Sequence, residues 1–209
     1  MKLFSKNYQA LTDEELMALV AKGRQEAFSV IYSRYSKRLH YFFFRMLGKD
    51  EEKAQDFLHD LFMKIIEKPY LFDTSKKFST WVYVVASNMC KNEYRKQSVR
   101  KFAEDFDFER VESSFQDIVE SLDQKTFSEH LSQALEQIDE RHRTIFVLRF
   151  QECFSIKEIA DILDISEGTV KSRIFYSVRK LANKLNFYNP KLNEQKIGEE
   201  NETEYTHRN

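Results

Sequence analysis

Asp56, His59 and Asp60 place two carboxylates and an imidazole at i, i+3 and i+4, one face of a helix. Those residue types are the ones a metal-dependent phosphohydrolase would use. One helix, however, supplies no second ligand cluster. The histidines His40, His59, His130, His142 and His207 share no ligand spacing, and Cys90 and Cys153 lie far apart with no C-x-x-C pair. No phosphate-binding glycine loop, GxSxG turn, HExxH helix or dinucleotide fingerprint occurs. The sequence therefore predicts a non-enzyme with no metal or cofactor. The chemistry that remains is recognition, by cations, amides and aromatic rings arranged on helices.

Two stretches carry that chemistry. In the first, Phe78, Trp81, Val82, Val85 and Met89 make an apolar stripe, with a polar, basic strip of Asn88, Lys91, Asn92 and Arg95 beside it and Trp81 and Tyr83 at its base. Rings interleaved with cations suit single-stranded nucleic acid, because bases stack on rings while Lys and Arg follow the phosphates. In the second, Ser155 and Glu158 form a capping-box pair ahead of Ile156, Ile159, Ala160 and Leu163, which recur at helical spacing. Asp164-Ile165-Ser166 interrupts the pattern, and Ser166 is placed to cap a second helix with Val170, Ile174, Val178, Leu181 and Leu185 as its buried stripe. Gly168, Ser172, Phe175, Tyr176 and Arg179 point away from that stripe, flanked by Lys171 and Arg173. Two helices joined by a short turn, the second basic and polar on its free face, predict a helix-turn-helix that reads a major groove. Gly168 lies in the first helical turn, where glycine lowers helix propensity by about 1 kcal/mol. Close approach of a phosphate or base edge to the backbone accounts for it.

The rest of the chain must position these stretches. With 2 prolines and 4 glycines, and helical periodicity throughout, the chain is expected to be all-α. A helix capped by Thr12 ends at Gly23, and a longer one runs from about Gln25 to Leu47 before Gly48. Another spans Asp50–Lys68, stopped by Pro69, and a fourth runs from about Phe78 to Lys96. Residues 102–127 are rich in Asp and Glu without a sustained apolar stripe and read as an acidic linker. Helices from Ser128 to Ile138 and from Asp139 through Phe150 precede the helix-turn-helix. The organisation is two small helical domains, 10–101 and 128–186, joined by the linker and followed by a polar, disordered tail, 187–209. Net charge is −1, from 33 basic and 34 acidic residues, so cations must be segregated for any nucleic-acid contact. No apolar run reaches membrane length and no signal peptide opens the chain, so the expectation is a cytoplasmic protein without membrane insertion.

Ser166-Glu167-Gly168-Thr169-Val170-Lys171-Ser172-Arg173 resembles the GTVKSR signature in the last DNA-binding region of bacterial sigma factors of the extracytoplasmic-function (ECF) group. Lys53 to Phe62 resembles the same family's polymerase-binding helix, with Asp56, Asp60 and Phe62 matching and His59 standing where glutamine is usual. Phe78, Trp81 and Asn88 match the element that melts and reads the −10 promoter box. The family commonly has Leu-Pro where this chain has Gln137-Ile138.

The resemblance implies a dissociable promoter-recognition subunit of RNA polymerase. Asp56, Phe57, His59, Asp60, Phe62 and Met63 would then bind the polymerase. Lys77, Phe78, Trp81, Tyr83, Asn88, Lys91, Asn92 and Arg95 would meet −10 DNA as a single strand. Glu167, Gly168, Thr169, Lys171, Ser172, Arg173, Tyr176 and Arg179 would meet −35 duplex. Implied partners are core RNA polymerase, at the clamp of its largest subunit and at its flap region, promoter DNA, and an anti-sigma factor. The alternative is a free-standing helix-turn-helix regulator with an N-terminal helical sensing domain. It would be expected to dimerise, yet no apolar stripe reads as a dedicated dimer seam.

Overall fold

The computed structural model describes residues 7–98 and 124–185. Residues 102–123 of the expected linker and the whole of the expected tail, 187–209, lie outside these. Every regular element among the described residues is helical. They form two compact units that do not follow chain order: one takes residues 7–98 and 147–170, the other 124–146 and 171–185.

The first unit is built on α1 (Asp13–Val20), α2 (Gln25–Met46), α3 (Glu51–Glu67) and α4 (Phe78–Ser98). Thr12 and Glu15 close a capping box at the start of α1. Gly23 and Gly48 follow α1 and α2 at φ +76° and +75°, where a side chain would be strained. Asp13 ties α1 to α2: its carboxylate accepts from Arg34 at 2.5 Å and from the Tyr35 hydroxyl. Burial first, and then this carboxylate, push the Tyr35 phenol well above its ordinary range. Arg34 also donates to the Gln9 and Leu11 carbonyls, fixing the short 3-10 turn Tyr8–Ala10 against α2.

The core of this unit is aromatic. Phe42, Phe43, Phe78 and Tyr83 are fully enclosed with Leu16, Ile31, Leu39, Met46, Leu61 and Ile65. Ring pairs meet edge to face, Phe42 with Tyr83 at 5.3 Å and Tyr35 with Phe78 at 5.1 Å, the arrangement that ring quadrupoles favour. In the loop before α4, Asp73 accepts from the Ser75 N–H at 2.9 Å. The Phe78 N–H donates to Glu14 of α1 at 2.9 Å, so a distant carboxylate satisfies the first turn of α4.

Residues 147–170 complete the unit. A π-helical turn, Val147–Gln151, leads through Cys153, at φ +62°, to α7 (Ile156–Leu163). Ser155 and Glu158 form the expected capping box. Asp164 ends α7 in the left-handed region at φ 53°, and the Ile165 N–H closes the turn onto the Ala160 carbonyl. Ser166 then caps α8 (Glu167–Lys184) by accepting from the Thr169 N–H at 3.1 Å. Helix α7 packs against α4.

The second unit contains α5 (Gln124–Glu136), α6 (Glu140–Phe146) and α8 from Lys171 onward. Ala134, Leu135, Ile138, Phe146, Leu181 and Leu185 form its core, with Phe127 and Leu131 against it. Helix α5 starts before the Ser128 expected from the sequence. Helix α6 stops at Phe146, where the backbone opens into the π turn instead of running on to Phe150. Asp139 organises one corner. It accepts from the His142 N–H, contacts the His142 ring at 2.6 Å, and accepts from Lys180 of α8 at 2.8 Å. Desolvation alone would raise its pKa; the His142 and Lys180 hydrogen bonds outweigh that and hold the carboxyl well below the usual range.

Candidate nucleic-acid and polymerase interfaces

On α3 the helical period separates two sets of candidates. Asp56, His59, Asp60 and Met63 are exposed. Phe62 is buried under α2, its ring 4.7 Å from Tyr32 and 5.9 Å from Phe28. Phe57 is half-buried against Phe43. The rings therefore fix which face of α3 turns inward, and the exposed acids with Met63 and Ile66 make a surface both anionic and apolar. Among the described residues, no three His, Cys, Asp or Glu side chains are grouped to hold a metal.

On α4 the strip runs through Asn88, Lys91, Asn92 and Arg95; Lys91 is exposed and lies on the open side of the helix. Trp81 is half-buried, 5.3 Å from Phe72 and 5.8 Å from Phe78, which leaves part of its ring free. Leu61, Ile65, Leu71, Val82 and Val85 line a small apolar hollow beside it. Phe78 is buried, as its place on the apolar stripe of α4 requires, while Tyr83 is buried despite its expected place beside the basic strip. Both are 0% exposed, so neither ring offers a stacking face to DNA in this conformation. Phe78 is a core residue held by Tyr35 and Phe72. Tyr83 is covered by Phe154 at 4.9 Å, and its hydroxyl donates to the buried carboxylate of Glu152 at 2.5 Å. Burial, and then the Glu152 charge, push the phenol far up. Arg38 of α2 completes the group, 3.1 Å from the same carboxylate and donating to the Glu152 carbonyl. Spacing along α4 could not reveal this, because the partner lies 69 residues away.

On α8, Glu167, Gly168, Lys171, Ser172 and Tyr176 are exposed, and Thr169, Arg173 and Arg179 are half-buried. The Thr169 hydroxyl lies 2.8 Å from that of Ser166, which fixes its rotamer at the helix start. A Cβ added at Gly168 would meet only Ser166 Oγ, at 3.8 Å, an ordinary contact. Neither packing nor backbone angle therefore requires glycine there. Phe175 is 59% exposed, edge-on to Tyr176 at 5.5 Å. It shares the free face with the residues expected at −35 DNA, although the motif itself does not include it.

Comparison with known proteins identifies the family. Residues 31–100 match the family described as Sigma-70 region 2, and residues 128–181 match Sigma-70, region 4. The chain is 32% identical to the ECF RNA polymerase sigma factor SigW of Bacillus subtilis, over 74% of this chain and 87% of that protein. Two solved structures share the fold. CnrH in complex with the cytosolic domain of CnrY has a TM-score of 0.63 at 24% identity, covering 83% of this chain and 97% of that one. The sigma factor RpoE in complex with the anti-sigma factor NepR from Bartonella quintana has a TM-score of 0.58 at 22% identity, covering 76% and 96%.

Two sigma-70 regions in one all-α chain, the first with a basic strip and the second with a helix-turn-helix, define a transcription-initiation factor of the sigma-70 class. The chain belongs to the ECF group of RNA polymerase sigma factors. It is a non-enzymatic subunit that directs promoter-specific initiation, and the free-standing regulator is not favoured.

Proposed function

We propose that α8 reads −35 duplex while α4 takes the non-template strand of the −10 box as the promoter melts. Arg173 and Lys171 contact bases or phosphates, with Ser172, Thr169, Tyr176, Arg179 and Glu167 beside them, and Gly168 lets the backbone come close. On α4, Asn88 hydrogen-bonds an extruded base, Trp81 wedges or stacks, and Lys77, Lys91, Asn92 and Arg95 follow the phosphates. Phe78 and Tyr83 shape α4 from the core. The acidic and apolar face of α3, with Asp56, His59, Asp60 and Met63, docks on the clamp of the polymerase's largest subunit. Phe57 and Phe62 hold that face in position. The second module reaches the flap region.

The functional domains are 10–101 and 128–186, joined by the acidic linker 102–127. The relative solved with the anti-sigma factor NepR supports a protein of that class as a regulator here. A partner of RNA polymerase works in the cytoplasm. The observation that carries this reading is the polar, basic Asn88–Arg95 strip in the same chain as a capped GTVKSR helix. Transcription with purified core polymerase on a promoter library tests it. Enrichment of paired −35 and −10 motifs is expected; initiation independent of either motif would refute it.

A further inference from the structure

The loop before α7 grips α4 in a way that the promoter-reading roles do not use. Glu152 is 6% exposed, and its carboxylate joins Tyr83 of α4 to Arg38 of α2. Phe154 closes over the Tyr83 ring, while Glu158 on α7 pairs with Lys77 at 3.0 Å. At about 100° per residue, Lys77, Thr80, Val84, Asn88, Lys91 and Arg95 fall on one stripe of α4. Toward the C-terminal end of that stripe Lys91 is exposed. In the N-terminal half Thr80 and Val84 are half-buried, and Lys77, its side chain 72% exposed, is paired with the Glu158 carboxylate.

We propose that residues 152–158 are an autoinhibitory clasp: they occupy the N-terminal half of the α4 stripe and exclude single-stranded DNA until they are released. The inference rests on the reading that α4 binds that strand. Glu158 presents to Lys77 the charge a backbone phosphate would bring, so clasp and strand compete for one cation. The clasp is built to open. A buried carboxylate is a poor source of net stability, because desolvation offsets its pairing. The Cys153 backbone at φ +62° stores strain in the same loop. The exposed part of its ion pairing is screened by salt. Binding by a chain that is only fractionally open is weakened by that fraction.

Two full-length variants test this in opposite directions, with binding of a labelled single strand of −10 sequence read by fluorescence anisotropy. Glu152→Gln keeps the shape but drops the charge paired with Arg38. It should tighten binding about fivefold or more and speed hydrogen exchange in residues 80–87 and 156–163, leaving α2 and α3 protected. Cys153→Gly relieves the strain, stabilises the closed loop and should weaken binding several-fold. Should Glu152→Gln unfold α2 and α3, Cys153→Gly alone decides. Wild-type affinity in Cys153→Gly, or in a folded Glu152→Gln, overturns the clasp. If wild-type holoenzyme engages the non-template strand while the variants match wild type, only the clasp is lost. If holoenzyme also leaves that strand unbound, the −10 reading fails and the clasp fails with it.

Discussion

Arg173 and Gly168 separate recognition from folding. Loss of a bidentate Arg–base contact removes about 1–3 kcal/mol of discrimination. Arg173→Ala should therefore lower −35-dependent transcription by roughly tenfold or more, while co-purification with core polymerase is unchanged; joint loss of both would reassign the residue. Gly168→Ala meets no clash and gains helix propensity of up to about 1 kcal/mol. Its melting temperature should rise while duplex footprinting at −35 weakens, and a variant that footprints like wild type would show that close backbone approach is not needed. Asp139 makes a pH-dependent contribution. Its carboxyl is held below the unfolded value of about 3.9. The stabilisation is thus complete at neutral pH and fades as pH falls through about 4 toward the folded value. Asp139→Asn can still cap the helix but drops the charge facing Lys180 and the His142 ring, and should lose up to about 1 kcal/mol at neutral pH. The gap to wild type should narrow in acid, as thermal melts across pH would report.

At the scale of elements, local signals are legible in the sequence and distant ones are not. The capping boxes at Thr12/Glu15 and Ser155/Glu158 can be read because both partners lie within one turn. The Gly23 and Gly48 ends are equally local. The α4 strip and the free face of α8 follow from periodicity alone, which fixes direction but not cover. The burial of Tyr83 depends on Glu152, the first N–H of α4 on Glu14, and the Asp139 corner on Lys180, separations of 69, 64 and 41 residues. No single-sequence pattern encodes such pairings. The π turn is hidden for a related reason: Val147 and Leu148 continue the apolar pattern of α6 while the backbone gains an extra residue per turn. The Glu14 contact gives a prediction of its own. Glu14→Ala should leave the first turn of α4 uncapped, costing about 1 kcal/mol, and hydrogen exchange should quicken at residues 78–81 ahead of the rest of α4. Uniform protection along α4 would show that the cap is not needed.

Across the whole molecule, the near-zero net charge of −1 limits unaided DNA binding, because phosphate neutralisation supplies most non-specific affinity. Two modest sites gain by being linked, since the second contact becomes intramolecular once the first has formed. On the proposed reading, core polymerase is the linker that matches the two DNA-reading surfaces to the spacing of the two promoter boxes. Cutting the chain within residues 102–123 and mixing the halves should therefore abolish accurate initiation. The most direct measurement is equilibrium binding of a matched promoter at moderate salt, by the isolated protein and by its complex with core polymerase. Weak, salt-sensitive and barely selective binding by the free protein, against tight and selective binding by the complex, is the expected result. Tight, sequence-specific binding by the protein alone would contradict it.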